Sequence, residues 1–164
     1  MGEKQAPPVI DRFVYAPHYI VLIANALTAG ASRTYFRTIG FGINESRLLS
    51  VLGHSPGMTQ AALGTALAMN KSIVSRGLAA LGAAGCVAAA GPDRARRFTL
   101  TEAGRRHHDV IVSLSMARQE RLLAGFDGRE RALLIDMLAR LLANIPSVND
   151  PGPQPVDDTP AAGA

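Results

Sequence analysis

This sequence predicts a mainly α fold carrying one small β-hairpin, and three observations support that reading. Its 164 residues include 27 alanines, no tryptophan and only 5% aromatics, a composition that favours close-packed helices. Apolar positions recur at three- and four-residue spacing along most of the chain, in stretches bounded by capping residues, prolines and glycines. The period changes only around residues 87–100. There two short runs flank Gly91-Pro92-Asp93-Arg94-Ala95-Arg96, and the second run alternates, with Phe98 and Leu100 on one side and Arg97 and Thr99 on the other.

The elements follow in order. Residues 1–16, with Pro7-Pro8, read as a loose arm. A first helix spans about 17–38, entered through Pro17, and Gly40-Phe41-Gly42 breaks it. Asn44 is the expected cap of the second helix, which Ser55-Pro56-Gly57 ends. Thr59 caps a short third helix ending near Met69, and Met58 is placed to staple onto Leu63. Asn70 caps a fourth helix running to about Ala84, with Gly85 just past its end. Val74, Leu78 and Leu81 form its buried stripe, leaving Ser72, Ser75, Arg76 and Ala79 exposed. Strands at 87–90 and 97–100 follow. Thr101 then caps a long fifth helix reaching about Ala124. Asp127 and Glu130 make a capping box for a sixth helix, rich in Leu, Met and Ile, which Pro146 is expected to stop. Residues 146–164, proline-rich with three acids, read as a disordered tail.

Composition excludes several classes of protein. At 48% apolar and 18% charged residues the chain is not disordered overall, and its length suits one domain. A single cysteine, Cys86, rules out a disulfide framework or a cysteine-built zinc module and points to a reducing compartment, hence the cytoplasm. Residues 13–32 carry no charge, and Ala29-Gly30-Ala31 resembles a signal-cleavage site. Glu3 and Asp11 offset Lys4 and Arg12, however, so no positive leader precedes it, and Pro17, His18, Asn25 and Thr28 interrupt the run. A helix buried at an interface is the expectation, with no membrane partner.

Net charge is +4 and the pI about 9.8, but the basic excess is local. Residues 54–108 hold Lys71, Arg76, Arg94, Arg96, Arg97, Arg105 and Arg106 against Asp93 and Glu102, whereas 109–145 are balanced. A basic segment between neutral helices is how a nucleic-acid contact surface shows in sequence. Helices three and four plus the hairpin read as a winged helix-turn-helix, with the fourth helix entering the major groove of double-stranded DNA. The expected contacts are Thr59, Gln60, Asn70, Lys71, Ser72, Ser75 and Arg76 on the helices and Arg94, Arg96 and Arg97 on the wing. Of the helical set only Arg76 can fork onto a guanine, while Gly77 and Ala79 are expected to let the backbone approach the DNA. Arginines at a loop tip suit a narrow minor groove.

From about Ile43 to Gly104 these motifs resemble the MarR family of bacterial transcription regulators. The matching pieces are Ser72-Ile73-Val74-Ser75-Arg76, Leu81-Gly82-Ala83-Ala84-Gly85-Cys86-Val87, Asp93-Arg94 and Leu100-Thr101-Glu102-Ala103-Gly104, in that order. Three departures stand out: Gly82 replaces the usual Glu, Cys86 occupies a core apolar position, and Asp93 to Leu100 is about one residue short. The resemblance implies one domain over 17–145, with 44–104 as the DNA-binding lobe and helices over 17–38 and 105–145 joining a homodimer. It also implies a repressor on a pseudo-palindromic operator, released by a small phenolic or carboxylate effector. Independently, the final helix carries more apolar surface than one small module can cover, which also asks for a second copy.

Candidate effector groups are Tyr15, His18, Tyr19, Arg33, Arg37 and His54, where an arginine could pair with an anionic ligand. His107-His108 beside Asp109 is not a metal site, because adjacent helical residues point about 100° apart. Cys86 reads as a buried structural thiol. With no nucleophile motif, phosphate loop or carboxylate pair, neither enzyme activity nor a cofactor is expected. The alternatives are a winged-helix module that binds proteins instead of DNA, and the dimerisation domain of an enzyme.

Overall fold

In the computed structural model, residues 9–92, 95–150 and 152 are described, and the chain folds as two compact units, one reaching to Ala117 and one starting at Arg118. Helix α1 (Ala16–Ile39) has Pro17 in its first turn and ends at Gly40, whose φ of 77° closes the helix in the left-handed region. Helix α2 (Ile43–His54) begins one residue before the expected cap. Gly42 is the N-cap, and its carbonyl accepts from both the backbone N–H (3.1 Å) and the hydroxyl (2.8 Å) of Ser46. Asn44 therefore lies inside the first turn and caps nothing, a correction to the sequence reading.

The rest of the first unit is α3 (Gln60–Leu67), α4 (Lys71–Ala83), a three-stranded sheet and the first part of α5 (Glu102–Leu122). The sheet holds one strand more than the hairpin. β2 (Val87–Ala90) and β3 (Arg97–Leu100) pair antiparallel as expected, and β1 (Met58–Thr59) adds to the other edge of β3, giving the order β1-β3-β2. Thr59 thus closes a strand opposite Arg97 while its hydroxyl accepts from Ala62 N at 3.2 Å to cap α3. Helix α2 supplies the centre of the core through Leu48, Leu49 and Leu52, against Leu63 of α3 and Val74 and Leu81 of α4, all at most 1% exposed. Each such burial contributes roughly 1.5–3 kcal/mol.

Close approach explains two glycines. A methyl group at Gly77 would strike Leu48 Cδ1, so this residue lets α4 settle on α2. Gly77 is buried and faces the core, which corrects the expectation that it meets DNA. Gly104 sits where α5 crosses the start of β2, directly over the Cys86 carbonyl. That carbonyl accepts from Thr101 N at 3.0 Å. The Thr101 hydroxyl donates to Gly85 O at 2.6 Å and accepts from Gly104 N at 3.1 Å, capping α5. The Leu-Thr-x-x-Gly run is therefore the joint between sheet and helix. Cys86 is buried at this joint, and desolvation pushes its thiol above the ordinary range despite the opposing pull of Arg106. Tyr35 of α1 reaches Ser115 of α5 at 2.8 Å, tying those helices together.

In the second unit α5 ends at Leu122, two residues short of the sequence expectation, and Gly125 turns the chain at a φ of 88°. The capping box forms as read, with Asp127 Oδ1 accepting from Glu130 N and Glu130 Oε2 from Asp127 N, both at 2.8 Å. Arg131 binds the turn together, donating to Glu120 Oε2 at 2.8 Å and to the carbonyls of Phe126 and Leu123. Helix α6 (Gly128–Asn149) runs through Pro146 instead of stopping at it. The imino residue forfeits one hydrogen bond near the end of the helix, and its own carbonyl still accepts from Asp150 N at 3.1 Å. No residue of α6 is buried. By length and composition α6 could cross a membrane, but the Asp136–Arg140 pair (3.7 Å) would put two charges within that span, where each costs about 2.5–3.5 kcal/mol.

Candidate nucleic-acid interface

The fourth helix presents its basic side outward because its cap and its core stripe leave no other choice. Asn70 Oδ1 accepts from Ile73 N and from the Ser72 hydroxyl, both at 2.9 Å, which fixes the first turn. With Val74, Gly77, Leu78 and Leu81 turned inward, Lys71, Ser72, Ser75 and Arg76 all face solvent. Asn70 itself has its carbonyl oxygen committed to the cap. Gln60, read as a DNA contact, donates through Nε2 to Lys71 O at 3.2 Å and so links the starts of α3 and α4.

The turn between these helices is tight. Ala68 adopts φ 50° and ψ 44°, the sole non-glycine with positive φ among the described residues, at a cost of about 1–2 kcal/mol for an L residue. Met69 N bonds back to Gly64 O at 2.9 Å. Arg47 of α2, which sequence reasoning passed over, donates to Leu67 O at 2.7 Å.

On the wing, Arg94 lies outside the described residues. Arg97 is exposed, but its guanidinium donates to Gly57 O at 2.8 Å, and Gly57 N donates back to Phe98 O at 2.9 Å. Arg96 lines a groove of about 910 Å³ together with Lys71, Thr59, Gln60, Met69 and Phe98. Two cations and several hydrogen-bonding groups thus meet over an apolar floor, a surface suited to a phosphate backbone. The structure brings Thr59, Gln60, Lys71 and Arg96 into this groove, while Ser72, Ser75 and Arg76 lie outside its lining.

The six effector candidates lie along α1 and its approach and at the end of α2, none of them in the groove. His18 and Tyr19 make an edge-to-face contact at 5.7 Å, and Arg33, Arg37 and His54 are exposed. His107 meets Phe41 edge-on at 5.4 Å and the His108 ring packs over Gly53, so the two histidines serve packing. Among the described residues no three potential metal ligands converge.

A family model described as MarR family matches residues 39–97. The fold matches a MarR/EmrR family transcriptional regulator from Acinetobacter sp. ADP1 at a TM-score of 0.78 and 26% identity, over 84% of this chain and 99% of that one. The chain has the fold of MarR-family regulators, and its residues 39–97 match that family's model. A MarR family regulator from Silicibacter pomeroyi matches at a TM-score of 0.74 and 29% identity, over 82% and 92% of the two chains. S. aureus MepR, solved with DNA, shares the fold at a TM-score of 0.72 and 16% identity, over 82% and 99%. No curated protein matches the chain. The MarR-family proteins that it resembles are transcription regulators, not enzymes.

Proposed function

We propose that this chain is a MarR-family repressor that acts in the cytoplasm as a homodimer on a pseudo-palindromic operator. The observation that carries the dimer is α6, a helix of 22 residues with none buried, whose Leu133, Leu138, Leu141 and Ile145 are all exposed. An apolar face of that length asks for cover, and a second copy offers the same face by two-fold symmetry. The charge-free part of α1, up to residue 32, with Ile20 and Ile23 exposed, supports the same reading. Residues 17–145 then act as one domain in which 44–104 bind DNA and the helices of 17–38 and 105–145 pair. Two α4 helices spaced about 34 Å apart would meet successive major grooves.

Contacts from Thr59, Gln60, Lys71, Ser72, Ser75 and the wing arginines position the lobe on phosphates, and Arg76 reads a base. Arg76→Ala is expected to weaken the cognate duplex by about 1–3 kcal/mol and to relax preference at one base pair per half-site. Binding to duplexes varied one position at a time would check this. Arg33 and Arg37 support an anionic effector, a phenolate or carboxylate, whose binding releases the operator. Linkage requires operator to weaken that ligand's binding by the same factor.

The direct test is fluorescence anisotropy with the protein's own upstream promoter DNA and a scrambled duplex, at two salt concentrations. Tight, salt-sensitive binding to the promoter alone is the expected result. Equal weak binding to both duplexes, or none from a folded dimer, would favour a protein-interaction module.

A further inference from the structure

We propose that Arg47 is a positioning residue for operator recognition, setting the aim of α4 without touching DNA. It stands on α2, outside the recognition helix and the wing, and its guanidinium donates to Leu67 O at 2.7 Å. That carbonyl is in the last turn of α3, among those a helix leaves unpaired and at the negative end of its dipole, where a cation is favoured. The bond lands next to Ala68, the strained left-handed residue, and two residues before Met69, whose N–H returns to Gly64 O. Between the end of α3 and the cap of α4 the chain has only Ala68 and Met69 in which to turn. An arginine tied to the near side of so short a turn fixes the far side, and with it Lys71, Ser72, Ser75 and Arg76. The companion tie comes from Gln60, whose Nε2 holds Lys71 O. α4 is thus braced from α2 on one flank and from the start of α3 on the other.

This inference rests on α4 being the helix that reads DNA, and the experiment separates the two claims. Arg47→Met keeps the alkyl stem and removes the bond, while Arg47→Lys restores a single cationic donor. The probes are the promoter duplex and the scrambled duplex, each titrated across salt, with amide exchange followed in the free protein. Arg47→Met is expected to reduce the preference for promoter over scrambled DNA on the order of tenfold, with Arg47→Lys recovering part of it. The salt slope is expected to stay at the wild-type value, because no phosphate contact is lost. Exchange of the Met69 amide is expected to quicken on the order of tenfold while the β2–β3 amides keep their rates.

A slope reduced by about one, with both duplexes weakened alike, would make Arg47 a phosphate contact and overturn the proposal. Unchanged preference and unchanged Met69 exchange would overturn it too. If wild-type protein itself shows no preference for the promoter, the DNA reading fails along with this one, whereas an indifferent Arg47→Met beside a discriminating wild type sinks only this one. Should Arg47→Met fail to fold, adding Ala68→Gly relieves the left-handed strain and allows the same measurements.

Discussion

Leu138→Asp together with Leu141→Asp on α6 is expected to cut operator affinity more than a hundredfold while the winged-helix lobe stays folded. Both leucines are nearly half exposed in the single chain, at 46% and 43%, so the carboxylates are tolerated in a monomer. In a dimer the same positions would bury four charges in an apolar seam, at a cost of several kcal/mol for each ion. Losing the dimer loses the second half-site, whose contribution through effective concentration spans 10²–10⁴-fold. Sedimentation should report a monomer, and circular dichroism should show an unchanged helical signal. A variant that remains dimeric and binds as wild type would move the interface off this face.

Gly104→Val should have the second large effect, and it acts on the fold. The Cβ of any larger residue there meets the Cys86 carbonyl, which is backbone already held by Thr101 N. Neither side can yield, so destabilisation of about 3 kcal/mol or more is expected, with a melting temperature lower by roughly 10 °C. Gly82→Ala provides the contrast. Nothing lies within 4 Å of a methyl group at Gly82, and removing a helical glycine should stabilise by about 0.5–1 kcal/mol. Thermal melts of the two variants separate close approach from helix propensity. Equal shifts would remove the contact with Cys86 as the reason for Gly104.

The parts of the fold written in local chemistry were legible in the sequence. Asn70, Thr59, Thr101 and the Asp127–Glu130 box each declare a helix start by a side chain that reaches its own backbone, and all four do so in the structure. The stripe of Val74, Leu78 and Leu81 was equally plain, and it determined which side of α4 faces out. What failed to show depends on distant partners. β1 is two residues long, too short for alternation, and exists only because β3 offers an edge. Gly77 gives no sign in sequence of the Leu48 it accommodates. Arg47 drew no reading at all, because its acceptor is a carbonyl twenty residues away. Arg97 was grouped with the wing tip by adjacency, and its bond to Gly57 was equally invisible. Pro146 misled by rule, since the penalty is small so close to a helix end.

The double stitch between Gly57 and β3 has a mechanical consequence. Gly57 takes a bond from Arg97 and gives one to Phe98, and two residues later the same strand becomes the cap of α3. Wing and helix-turn-helix therefore share a hinge pin with no slack of its own. A twist applied at the wing root travels into α3, and from there into α4, without a joint to absorb it. If α4 and the wing hold DNA as proposed, their two grips would be geared together, and DNA whose groove width misfits the wing would also throw Arg76 out of register.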